Sequence, residues 1–136
     1  MTFDPTEWAY DTWRLFFAAM ALWNLALALP GVVAPRAGVR ALYGVGTRDF
    51  HTWFQHWMVS TLLLFLGAGY GLVAWDPAAN LGLIAVGLAV KAYLAITLVA
   101  LHLRQRATTG AALVGATDLV FAALFAIYLI GGNRAP

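Results

Sequence analysis

Leu81-Gly-Leu-Ile-Ala-Val-Gly-Leu-Ala-Val-Lys91-Ala-Tyr-Leu-Ala-Ile-Thr-Leu-Val-Ala-Leu101 decides the fold, because a single charge interrupts an apolar run. Wound as a helix at ~1.5 Å per residue, the run is ~30 Å long, the thickness of a bilayer's hydrocarbon core. A lysine at that depth costs about 2.5–3.5 kcal/mol on insertion scales and marks either a charge pair or a pathway. The one acidic residue at comparable depth is Asp118, in the next apolar run.

Composition extends this reading to the whole chain. Of 136 residues, 62% are hydrophobic and 10% charged, and the mean hydropathy is +0.78. A soluble domain of this length needs far more charge to cover its surface. At ~20 residues per crossing there is room for four spans and little else. The expected fold class is therefore all-α, a single transmembrane domain forming an antiparallel four-helix bundle with spans near 8–30, 50–74, 78–104 and 109–131. Eight basic residues against six acidic ones make too small an excess to point to an anionic partner, and no basic run with interleaved aromatics points to nucleic acid. With no cysteine, disulfides, thiolate metal sites and iron–sulfur clusters are excluded.

Local signals set the span ends. Asp4-Pro5-Thr6-Glu7 supplies a capping carboxylate, a proline at the first helical position and a glutamate beyond it. The same acidic segment lacks the basic region of a signal peptide, so the first span is expected to be retained. Pro30-Gly31 predicts the end of the first helix. Thr47 or Asp49 caps the second, Asp76-Pro77 opens the third, and Thr108-Thr109 precedes the fourth, which ends at Gly131-Gly132. Within the long connection 31–48, Arg36 and Arg40 lie one turn apart beside Val39, Leu42 and Tyr43. That pattern fits a short interfacial helix or an irregular basic loop. Arg36, Arg40, Arg48, Arg104 and Arg106 all fall in the first and third connections. The positive-inside bias then predicts both termini outside a cytoplasmic (inner) membrane.

At 100° per residue, Ile84, Gly87, Ala95, Leu98 and His102 share a face with Lys91, and Ala111, Gly115, Ala122 and Phe125 share one with Asp118. Ala21 and Ala28 stack with Asn24, while His56, Gly67 and Gly71 stack with Ser60. Polar and small residues coincide in every span, and small residues let membrane helices approach closely. These faces are expected to turn inward. Asn24, Ser60, Thr61, Lys91 and Asp118 then form one central layer, either a structural ion pair with its hydrogen-bonding neighbours or a pocket for a polar head group, a quinone or a proton.

His56 and His102 are the candidate ligands for a haem or a chlorophyll-type pigment, since helical bundles hold tetrapyrroles through imidazoles. Interfacial or packing roles are the simpler explanation of all three histidines, His51, His56 and His102. No metal site is expected beyond that. The chain lacks HExxH, GxSxG and phosphate-binding loop motifs, and no catalytic residue is assigned.

The stretch Gly67-Ala-Gly-Tyr-Gly-Leu-Val-Ala-Trp-Asp76-Pro77-Ala-Ala-Asn80, with Gly87, Lys91 and Asp118-Leu-Val-Phe-Ala-Ala-Leu-Phe125, resembles small bacterial membrane proteins of the DoxX-like kind. The resemblance implies a four-helix membrane bundle and carries over no redox centre. The leading functional expectation is a non-catalytic integral membrane protein, an accessory or structural subunit in contact with lipid and other membrane subunits. The alternatives are a redox- or pigment-associated protein holding a quinone or tetrapyrrole, and a small transporter using Lys91 and Asp118 as its coupling pair.

Overall fold

A computed structural model describes residues 8–44 and 49–132. The opening signal Asp4-Pro5-Thr6-Glu7 and the alternative cap Thr47 lie outside the described residues. Every regular element within them is helical: α1 (Tyr10–Val33), α2 (Pro35–Tyr43), α3 (Phe50–Trp75), α4 (Leu81–Leu103) and α5 (Thr109–Ile127). A 3-10 turn, Ala78–Asn80, leads into α4, and a π-helical stretch, Tyr128–Gly132, prolongs α5. Four of these helices are long and apolar enough to cross a membrane. Large apolar side chains such as Leu15, Phe65, Tyr93 and Ile130 stand exposed on their outer faces, as lipid contact requires.

Two boundaries differ from the sequence expectation. Helix α1 does not stop at Pro30-Gly31 but continues through them to Val33. Proline forfeits one helical hydrogen bond, a loss that membrane helices tolerate when neighbours re-satisfy the backbone. Gly31 is the compensating feature: it is buried, and a Cβ there would run into the Ser60 side chain, so its lack of one lets α1 stay against α3. The third span begins as a 3-10 turn and becomes α-helical only at Leu81. Asp76 Oδ1 accepts from Ala79 N–H at 3.1 Å and from the Tyr10 hydroxyl at 2.9 Å. These bonds hold the Asp76 carboxyl below the usual carboxylate range.

The connection 31–48 contains the short helix rather than an irregular loop throughout. Pro35 pre-sets its first turn, Val39 is fully buried, Arg36 and Arg40 are exposed, and Gly44 closes it at φ 71°. Arg36 stacks over Trp53 at 5.7 Å. The last carbonyls of α2, at Ala41 and Leu42, accept from the Thr108 hydroxyl at 2.9 and 3.2 Å. The same oxygen accepts from Ala111 N–H and so caps α5. One hydroxyl thus fastens α2 to the start of α5. Thr108→Val should cost about 1 kcal/mol for the lost cap and raise amide exchange in α2. Unchanged exchange across Val39–Tyr43 would show that the fastening is immaterial.

Helix α1 packs along α3, and α4 along α5, while α3 meets α4 over a much shorter stretch. Between the two pairs the gap is filled differently at its two ends. At one end Trp13, Phe17, Tyr70, Phe125 and Tyr128 are completely buried, with ring centroids 5.0 Å apart for Trp13–Tyr128 and 5.3 Å for Phe17–Phe125. Such aromatic pairs contribute about 0.5–1.5 kcal/mol each beyond area burial. Tyr10 and Arg14 tie this end to the close of α3, Arg14 Nε donating to the Ala74 carbonyl at 3.1 Å. Toward the other end the buried residues Asn24, Gly31, Ser60, Lys91 and Asp118 face a cavity, while Ala95 and Gly115 pack α4 against α5. Among the described residues no aromatic rings bridge the pairs there, so the cavity remains.

Candidate intramembrane binding site

The cavity measures about 270 Å³, and Asn24, Lys91 and Asp118 line its floor. Each sits on the small-residue face of its helix; the buried residues of α4 are Ile84, Gly87, Lys91, Ala95 and Leu98, and those of α5 are Ala111, Gly115, Asp118, Ala122 and Phe125. Close backbone approach is what allows this. A Cβ on Gly115 would come within 3.1 Å of the Ala95 carbonyl, and one on Gly67 within 3.1 Å of Asn24 Cβ.

Lys91 Nζ lies 2.5 Å from Asp118 Oδ1 and 2.9 Å from Asn24 Oδ1, with the Phe121 ring centroid at 5.6 Å. All three polar residues are 4% exposed or less. Charge-assisted bonds of this kind are the strong ones, and low surrounding polarity strengthens them. An ammonium only donates, so Asn24 must present its carbonyl oxygen to Lys91. That orientation leaves Asn24 Nδ2 buried with no hydrogen-bond partner. The third Lys91 proton also has no oxygen partner among the described residues. Small helical membrane proteins rarely leave such donors idle, because each unpaired polar group in the hydrocarbon region is costly.

The other candidates divide. Ser60 is buried in the cavity wall but does not bond Lys91. Thr61 turns away: its hydroxyl donates to the Trp57 carbonyl of its own helix at 2.9 Å. His56 forms part of the upper wall, its Nε2 unpartnered and packed between Gly31 and Gly38, its ring 6.4 Å from Tyr43. His102 is half-buried at the end of α4, with Nδ1 3.1 Å from the Ala107 carbonyl, and does not line the cavity. A tetrapyrrole on His56 Nε2 does not fit. Even a single carbon added at Gly38 would collide with that nitrogen, and the cavity is smaller than a macrocycle. No cluster of three metal-binding side chains exists among the described residues.

Sequence reasoning missed the roof. Gly38, Leu42 and Tyr43 of α2 line the cavity beside His56, and nothing in the local pattern announces that this short helix packs over a polar floor. It also overread Gly67–Gly71. Gly67 is buried against α1, whereas Gly71 is exposed, with open space where a side chain would stand.

Comparison with protein-family models, with curated proteins and with solved structures finds no match.

Proposed function

We propose that this chain is a non-catalytic, multi-pass protein of the cytoplasmic membrane that binds a small molecule between its two helix pairs. The observation carrying this reading is the buried, unpaired Nδ2 of Asn24 on the cavity floor beside an ion pair. A floor built only to fix helix order has no need of the space above it. Catalysis is not part of the proposal: Lys91 is read as the ion-pair partner of Asp118, and no hydrogen bond links Ser60 to His56.

The proposal includes an antiparallel bundle with both ends of the chain outside. Tyr10 against Asp76 and Trp13 against Tyr128 at one end, with Gly31 against Ser60 and Leu42 against Thr108 at the other, support the alternation. The basic residues Arg36, Arg40, Arg104 and Arg106 gather at the second end, which the positive-inside bias assigns to the cytoplasm. The exposed apolar sides of the helices are then available to lipid and to companion subunits.

Native mass spectrometry of gently extracted protein tests the binding reading. The wild-type chain should carry a small-molecule adduct, and Leu63→Trp, which fills the cavity from its half-buried wall, should remove it while remaining folded. A folded wild-type chain that carries none, from native membranes, would overturn the proposal.

A further inference from the structure

The cavity is separated from a second feature by a thin wall. On the lipid-facing side of the short α3–α4 contact runs an apolar groove bordered by Leu62, Leu66, Val90 and Tyr93. Val59, Leu63 and Leu94 line both this groove and the polar cavity. Val59 is 46% exposed to the outside although it also faces the cavity, and Leu63 and Leu94 are half-buried. These three aliphatic side chains separate the groove from the cavity where α3 and α4 meet over a short stretch.

Charge and hydrogen bonding on the floor restrict what the site accepts. Lys91 and Asp118 neutralise each other, and Asn24 and Ser60 carry no charge. A charged ligand would therefore sit uncompensated in low polarity. Beside the Lys91–Asn24 bond the unmet donors are the amide protons of Asn24 Nδ2 and the third ammonium proton; the second Asp118 oxygen and, farther along the lining, His56 Nε2 also make no hydrogen bond among the described residues. The matching group is an acceptor that brings no charge, and the rest of the lining, Leu27, Val59, Leu63, Leu94, Leu98 and Val114, is aliphatic.

Resting on the binding reading above, we propose that the site takes a neutral, carbonyl-bearing apolar molecule that enters from the bilayer between α3 and α4. Its carbonyl oxygen accepts from Asn24 Nδ2 and Lys91 Nζ, and its apolar remainder lies past Val59, Leu63 and Leu94 in the groove. At about 270 Å³ the cavity is at the low end for ligand pockets, so the head is compact and any long tail stays outside in the groove.

Benzophenone is a suitable probe, being a neutral ketone that inserts into nearby C–H bonds on irradiation. The chain in nanodiscs should be labelled on Leu63, Leu94 or Leu98. The ketone 2-tridecanone should reduce that labelling at least tenfold, while tridecane and laurate at equal membrane concentration should leave it within twofold. Asn24→Leu should lower labelling at these positions about tenfold with the helical circular dichroism unchanged. Leu94→Trp, which thickens the wall without touching the floor, should slow the approach to saturation. Competition by laurate but not by 2-tridecanone would overturn the neutral-carbonyl assignment and leave the binding reading standing. Equal competition by tridecane would overturn the assignment as well, since the floor would then play no part. Labelling spread evenly over lipid-facing residues, with none at the cavity wall, would overturn both.

Discussion

Asp118→Asn lowers the stability of the folded chain by about 3–5 kcal/mol, the cost of leaving a buried charge without its partner. The carboxylate lies 2.5 Å from the Lys91 ammonium, and both side chains are almost wholly buried. An amide in its place still accepts a hydrogen bond but supplies no negative charge. Replacing both partners, Lys91→Met with Asp118→Leu, should recover most of the loss, because an apolar pair of similar volume is commonly neutral or stabilising relative to a buried ion pair. Asn24→Leu should cost only about 0.6–1.7 kcal/mol, the range for hydrogen bonds inside membrane proteins. Denaturant titration in a mild detergent gives the order directly. Equal losses for Asn24→Leu and Asp118→Asn would mean that hydrogen bonding rather than charge governs the floor.

The second large effect is expected at Gly87. A Cβ there would meet the Tyr70 hydroxyl and would come within 2.8 Å of Tyr70 Cε1 and 2.7 Å of Phe125 Cε2. Both rings are fully buried, so neither has free space to retreat into. Gly87→Ala should therefore destabilise by about 1–3 kcal/mol, even though alanine is the better helix former. Tyr70→Phe removes the nearest obstructing atom and should return part of the loss, a coupling of about 0.5–3 kcal/mol in a double-mutant cycle. Gly71→Ala and Gly82→Ala meet open space, and each should be neutral or slightly stabilising. If Gly87→Ala behaves like those two, α4 does not approach Tyr70 as closely as described.

Much of the floor was legible because helical periodicity acts on each span separately. The small residues stacked on Lys91 and Asp118 are the buried ones, and a cation can only be carried across a bilayer on such a face. Pro30 misled for a physical reason. In water it reads as a stop, whereas here the backbone continues because Gly31 gains close packing against Ser60. The fate of the hydroxyls and imidazoles was not readable at all. Whether Thr61 bonds its own helix, or His102 meets the Ala107 carbonyl, depends on rotamer and chain reversal. The cavity itself was invisible for a further reason: it arises where two helix pairs are bridged by aromatic rings at one end only. Only the relation between spans contains that information.

Lys91 is the sole lysine of the chain, so selective 15Nζ labelling gives one ammonium signal in a lipid bilayer. With aspartate 13Cγ labelling, solid-state dipolar recoupling between the two nuclei reads the central contact directly. Strong dephasing that disappears in Asp118→Asn is the predicted result. A lysine signal that shows no dephasing by any aspartate, in a protein that is folded in the membrane, would contradict the account.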